Sequence, residues 1–266
     1  MKRSLWLFFL LAGIAAAAPA QLATQRAGTS QLLIPAAGAV TGANGTFFRS
    51  DITVVNLRSD ADQLVRFMWM SQGVSGVTTP VFIDKTIPKG GQIASEDFVT
   101  DVLGQSGLGS ILVTAMSGTQ FDSNGELHAS ARIWSNQPNL STGTVSQSFP
   151  VIAVSDIDVT AGTLVILGQR RDDRYRSNVG IVNLDPQEQT FRVTLTSDER
   201  SELQNVVVPP LSMQQLPLPG PTATNMRIAV LNVSPGPQTS RFLAYGSTVD
   251  NATGDSWSSL GYVPPQ

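Results

Sequence analysis

Apolar residues fall at every second position in one segment of this chain after another. Val65, Phe67 and Trp69 alternate with other residues in "QLVRFMW", and Phe191, Val193 and Leu195 do the same in "QTFRVTL". Period two is the mark of a strand that buries one face. The segments are closed by turn residues, as in "TIPKGGQ" (Thr86 to Gln92) and "VVPPLSM" (Val207 to Met213). Proline and glycine at strand ends, and turn signals about every 8–12 residues, predict antiparallel sandwiches of roughly seven short strands each.

The pattern is written twice. "FFRSDITVVNL" (Phe47 to Leu57) and "RYRSNVGIVNL" (Arg174 to Leu184) share an Arg-Ser pair and a closing Asn-Leu. The alternating segments above follow each of them, and then the two prolyl turns. "SILVTAM" (Ser110 to Met116) parallels "RIAVLNV" (Arg227 to Val233), and "LHASARIWSN" (Leu127 to Asn136) parallels "FLAYGSTVDN" (Phe242 to Asn251). An ordered set of matching elements predicts a tandem duplication, with repeats over residues 29–150 and 151–266. Asn56 and Asn183 close equivalent strands, where a short amide can bond the turning backbone. One crossover breaks the symmetry. "SEDFVTDVLG" predicts a short helix with Ser95 as cap and Gly104 as stop; the second repeat has Pro217, Pro219 and Pro221 there, which forbid one.

The start of the chain reads differently. Lys2 and Arg3 precede an apolar run from Leu5 to Ala18 and the small-residue motif Ala18-Pro19-Ala20. This predicts a secretory signal peptide over residues 1–20, cut before Gln21, followed by a linker over 21–28. The mature protein is then expected in the periplasm or outside the cell. No later stretch reaches transmembrane length, so stable membrane insertion is not expected. The chain has no cysteine; without disulfides, the fold must rest on core burial. Of 17 basic residues, two fall in the leader, which leaves 15 against 20 acidic ones. An acidic chain with interspersed charges is a poor partner for nucleic acid.

The stretches "TGANGTFFRSDITVVN" (Thr41 to Asn56), "YRSNVGIVNL" (Tyr175 to Leu184) and "AYGSTVDNATGD" (Ala244 to Asp255) resemble tandem repeats of uncharacterised secreted bacterial proteins. The resemblance implies immunoglobulin-like sandwiches and export, and carries no functional residue with it. The expected fold is therefore all-β: two tandem immunoglobulin-like antiparallel β-sandwich domains after a cleaved signal peptide, with one short helix in the first.

Candidate chemistry is sparse. His128 is the single histidine, set in a predicted strand, and no Gly-x-Ser-x-Gly elbow or phosphate-binding loop accompanies it. The carboxylate pairs Asp156/Asp158 and Asp172/Asp173 read as solvated charge, although paired carboxylates are what glycoside hydrolysis requires. "FDSNGEL" places Asp122, Asn124 and Glu126 at alternate positions around Gly125. It is a hairpin turn or a weak Ca²⁺ loop, and Ca²⁺ is the one cofactor the sequence suggests. In "QRRDDRYR", Arg170, Arg171 and Arg174 could grip carboxylates or phosphates of a polysaccharide, or simply neutralise Asp172 and Asp173. Arg132 and Trp134 share the polar face of their strand, where an exposed ring beside a guanidinium would stack on a sugar or anchor a partner. The alternative places Trp134 over the sandwich end, as part of the core.

These readings converge on a non-catalytic exported protein that binds an extracellular glycan or protein partner. The rival is an assembly subunit that pairs through edge strands and so forms homo-oligomers. A glycan hydrolase ranks third.

Overall fold

The computed structural model describes residues 28–42, 45–137, 142–158, 160–197, 201–218, 223–234 and 240–264. The leader, its cleavage position and most of the linker, like Pro219 and Pro221, lie outside them. In the first half the strands are β1 (Gln31–Thr41), β2 (Phe47–Asn56), β3 (Gln63–Ser71), β4 (Val81–Ile87), β5 (Gln92–Ser95), β6 (Gly107–Ser117), β7 (Gln120–Phe121), β8 (Leu127–Asn136), β9 (Thr144–Ser148) and β10 (Ile152–Ala153). The second half contributes β11 (Thr163–Arg171), β12 (Tyr175–Asn183), β13 (Gln189–Thr196), β14 (Ser201–Val208), β15 (Ser212–Pro217), β16 (Ala223–Asn232), β17 (Phe242–Asp250) and β18 (Ser256–Leu260). The chain is all-β and its ladders are antiparallel.

One α-helical turn, α1 (Phe98–Asp101), follows β5 and buries Phe98 and Val99, and a 3-10 turn spans Val154–Asp156. The cap differs from the sequence expectation. The Ser95 hydroxyl accepts from the Asp97 N–H and donates to Asp101 Oδ2 (2.6 Å), so it braces the turn without capping it.

The two halves share one strand order. The first runs β4-β3-β6-β1-β2-β8-β9, with β5 added beside β2. It folds over at the β1–β2 link, where only Val40↔Phe48 and Thr41↔Phe47 pair. Its two layers, β4-β3-β6-β1 and β5-β2-β8-β9, correspond to β14-β13-β16-β11 and β15-β12-β17-β18. Each half thus has eight principal strands, one more than the expected seven. Register matches as well. Phe67 pairs with Val113 and Trp69 with Ile111, where Val193 pairs with Val230 and Leu195 with Ile228.

The motifs that revealed the repeat serve the same mechanical tasks in both halves. Asn56 is fully buried; its Nδ2 donates to the carbonyls of Ala61, Ile87 and Pro88 while its Oδ1 accepts from the Arg58 N–H. Asn183 repeats the arrangement with Gln187, Val208, Pro209 and Asp185. One amide satisfies three carbonyls that a turn would otherwise leave unpaired. The serine of the Arg-Ser pair bolts the bulged first strand of its half. Ser50 bonds the N–H (2.6 Å) and carbonyl (3.0 Å) of Gly38 after the register shift in β1. Ser177 donates to the carbonyl of Arg170, the equivalent point after the first of two register shifts in β11.

Three cores separate four layers. The first lies inside the first sandwich, around Ile34, Val54, Phe67, Phe98 and Val113. The second lies inside the other, around Ile166, Ile181, Phe191, Ile228 and Phe242. The third joins the halves: Leu33, Met70 and Phe149 meet Val182, Met213, Leu243 and Tyr245. On β3 and β17 alternate residues go to different cores, Phe67 to the first and Met70 to the third, Phe242 to the second and Leu243 to the third. The outer face of β4-β3-β6-β1 therefore packs on the outer face of β15-β12-β17-β18. Strands buried on both faces lose alternation, which is why β17 is buried at all nine positions.

Two hydrogen-bonded clasps flank this contact. On one side Ser212 Oγ donates to the Ser71 carbonyl (2.8 Å), and the N–H groups of Gly73 and Gly76 donate to Met213 and Pro210. On the other, Ser256 and Ser258 hydroxyls donate to the carbonyls of Ser146 and Ser148.

Candidate functional site

Chemistry-bearing side chains gather at equivalent ends of the two sandwiches, where β2 begins and β8 ends, and where β12 begins and β17 ends. In the first half Arg49 and Trp134 are register partners. The Arg49 guanidinium sits 5.4 Å from the Trp134 ring and 4.7 Å from that of Phe47, with Asp97 at 3.5 Å. The Trp134 indole N–H donates to the Glu96 carbonyl (2.8 Å), beside the helical turn. Sequence reasoning paired Trp134 with Arg132. The structure assigns Arg132 to Asp51 instead, at 2.8 Å, and gives Trp134 the other arginine. The ring is half-buried, so the face expected to receive a sugar is partly taken by Arg49.

The second half carries the more open cluster. Tyr175 is flanked by the guanidiniums of Arg170 (4.5 Å) and Arg174 (5.1 Å), and Trp257 meets it edge-on at 5.6 Å. Trp257 is anchored by its own N–H on the Gly168 carbonyl. Arg174 Nε binds Asp250 Oδ2 at 2.8 Å, yet its side chain remains 67% exposed. The hydrogen bond from Arg174 holds the Asp250 carboxyl below its ordinary range. Arg170 lies 3.6 Å from Asp172, whose Oδ1 caps the loop through the N–H groups of Arg174 and Tyr175. Arg171 sits at the end of β11, opposite Ala223, and joins neither the ring nor the ion pairs. Sequence reasoning grouped the arginines; it missed Tyr175 and Trp257, which lie 82 residues apart and meet only through the β12–β17–β18 ladder.

The Asp122 loop is a turn. Asp122 Oδ1 accepts from the Asn124 N–H, and its carbonyl accepts from Gly125. Its other oxygen faces Arg58 Nη1 at 3.7 Å and Gln63 Nε2 at 3.4 Å. Among the described residues no group of three or more His, Cys, Asp or Glu side chains is arranged to hold a metal.

Among the described residues, two cavities open along the junction of the halves. One of about 430 Å³ brings His128 together with Asp156 and Asp158 on an apolar wall that includes Val151, Leu243 and Leu260. Asp158 is occupied by the N–H and hydroxyl of Thr160, and among the described residues no serine lines the space. The other, of about 540 Å³, is lined by residues of both halves, among them Gln72, Gln147 and Arg176. Among the described residues no helix is long and apolar enough to cross a membrane.

No protein-family model and no curated protein matches the chain. Among solved structures, the crystal structure of Thermotoga maritima 1070 aligns over 39% of this chain and 95% of its own, at 15% identity and a TM-score of 0.33. A likeness at that level assigns neither fold nor activity.

Proposed function

We propose that this chain is an exported, non-catalytic binding protein of two immunoglobulin-like sandwiches that recognises an acidic extracellular glycan. The observation that carries this reading is Tyr175 set between Arg170 and Arg174 with Trp257 at its edge. Aromatic rings offer an apolar face to a sugar ring, and guanidiniums bind carboxylates in a planar, bidentate fashion. Arg170, Tyr175 and Trp257 stand on strands, Arg174 stands on the short β11–β12 loop that Asp172 braces, and the tryptophan is tied to the backbone, so little ordering is left for the moment of binding. The leader read in the sequence and the absence of cysteine fit export.

The test is retention of the mature protein on immobilised acidic polysaccharide, polygalacturonate for one, against a neutral glucan. Retention should fall with salt and be lost in the Arg170→Ala/Arg174→Ala double variant, while Arg171→Ala leaves it in place. A broad array of acidic and neutral glycans without a hit would reject the reading. Trp134→Ala distinguishes the two ends: it should matter little if the second half carries recognition.

A second reading, assembly through edge strands, draws on β14. Among the described residues this strand pairs with β13 only, and Leu203 and Val207 on it are 60% and 51% exposed. An unpaired edge with apolar side chains is a template for another strand. Concentration-dependent oligomers, abolished by Leu203→Lys, would favour it.

A further inference from the structure

The 540 Å³ cavity lies between the clasps that join the halves: Ser71 and Gln72 line one side, Gln147 the other. Its apolar walls include Phe48, Leu108, Ile133, Phe149 and Val249. Three polar groups on it are incompletely partnered. Gln147 is only 8% exposed; its Oε1 accepts from Ser247 Oγ (2.9 Å), and its Nε2 is buried with no partner among the described residues. Turning the amide over exchanges its ends and still leaves one unpaired. Gln72 Oε1 is likewise buried and unpartnered. Arg176 makes a single bond, from Nη1 to Asn251 Oδ1 (2.7 Å), and no carboxylate pairs with it among the described residues. Burial holds its guanidinium below the ordinary value, with no anion to offset it.

The repeat shows that this is a departure. Arg49, at the equivalent position, has both Asp97 and the Trp134 ring. Buried amide ends and half-buried cations are normally paired. Water can satisfy the amides, but it cannot supply the missing negative charge.

We propose that this cleft binds a small organic carboxylate, with its anion on Arg176, an amide or hydroxyl group between Gln147 and Gln72, and an apolar body against Phe48, Leu108 and Phe149. The volume lies within the range of small-molecule sites, which are mostly apolar with a few converging polar groups. The clasps pre-form the site. It shares no residue with the Tyr175 cluster, so failure of the glycan reading leaves it standing, and the converse holds too.

The experiment is calorimetric titration of the mature protein with three probes, N-acetylphenylalanine, N-acetylleucine and phenylacetate, and with the neutral N-acetylphenylalaninamide. At least one carboxylate should bind saturably, one per chain, and the amide should bind roughly tenfold more weakly or worse, as for loss of a charged hydrogen bond. Arg176→Gln should cause a comparable loss, and Arg170→Ala/Arg174→Ala none. Gln72→Leu removes an unpaired buried oxygen, so the fold is retained while affinity falls severalfold. Absence of saturable binding by all three carboxylates at millimolar concentration overturns the proposal. So does equal affinity for acid and amide, or binding indifferent to Gln72→Leu; these two results decide the matter even if the Arg176 variant does not fold.

Discussion

Thr53 and Ser130 are register partners on the outer face of the first sandwich; Gly180 and Tyr245 are partners at the equivalent place in the second. The first pair faces outward, with Ser130 exposed. The second pair is buried, and Tyr245, at 0% exposure, donates its hydroxyl to Gln215 Oε1 (2.9 Å) in the core between the halves. Identical strands in an identical register thus lead to water in one copy and to a packed interface in the other. What differs is the neighbour, since the first sandwich lays its β4-β3-β6-β1 face on the second. A large apolar side chain there contributes on the order of 2 kcal/mol by burial, and Gly180 is its accommodation. A Cβ on Gly180 would stand 2.0 Å from the Tyr245 ring.

The uncovered face of the first half presents Asp51, Ser130 and Arg132, and that of the second presents Arg192 and Arg227 together with the exposed Leu203 and Val207.

The largest expected effect tests what the halves share. Asn56→Leu and Asn183→Leu should each cost roughly 3–4 kcal/mol, since one buried and two partly buried carbonyls lose their donor. Urea unfolding should give matching losses, and unequal ones would mean the turns are equivalent in shape but not in load. Next comes the position where the halves part. Gly180→Ala should cost about 2–3 kcal/mol by overpacking against Tyr245, whereas Thr53→Ala should stay within about 0.5 kcal/mol. Similar costs at both sites would contradict the layered arrangement.

The smallest effect concerns charge. Arg66 and Asp84 are register partners that make two hydrogen bonds of 2.8 Å; Arg192 faces Asn205 at the equivalent place. The bond from Arg66 holds the Asp84 carboxyl below its ordinary value. A depressed carboxylate stabilises the fold above its unfolded pKa, and that contribution disappears as pH falls through the lower folded value. Asp84→Asn, which copies the second half, should remove this part of the acid limb and cost less than about 1 kcal/mol at neutral pH. Unfolding curves from pH 7 to pH 2 would show it.

Much of the architecture was legible because periodicity is a local property. Val65, Phe67 and Trp69 announced one buried face, and the matching of Arg49-Ser50 with Arg176-Ser177 announced equivalent strands. Asn56 and Asn183 were readable as strand-closing amides because Ala61 and Gln187 lie in the adjoining turns, whereas their bonds to Ile87, Pro88, Val208 and Pro209 reach 25 to 32 residues along the chain and were not. The site was less legible. Trp134 was placed on the correct strand but with the wrong arginine, because a side chain's cross-strand partner depends on register rather than on neighbours in sequence. The apolar residues Leu243 and Tyr245, where the first repeat has His128 and Ser130, were a signal of a covered outer face.

By itself, then, the order of residues determined the strands, their turns and the duplication, all of which follow from side-chain period and backbone preference within a few dozen positions. Only the tertiary structure decided that the sandwiches stack on unlike faces, that Tyr175 meets Trp257, and that Gln72, Gln147 and Arg176 surround one cavity. Those outcomes depend on which surfaces bury the most apolar area against each other, a competition among distant segments that no local pattern records.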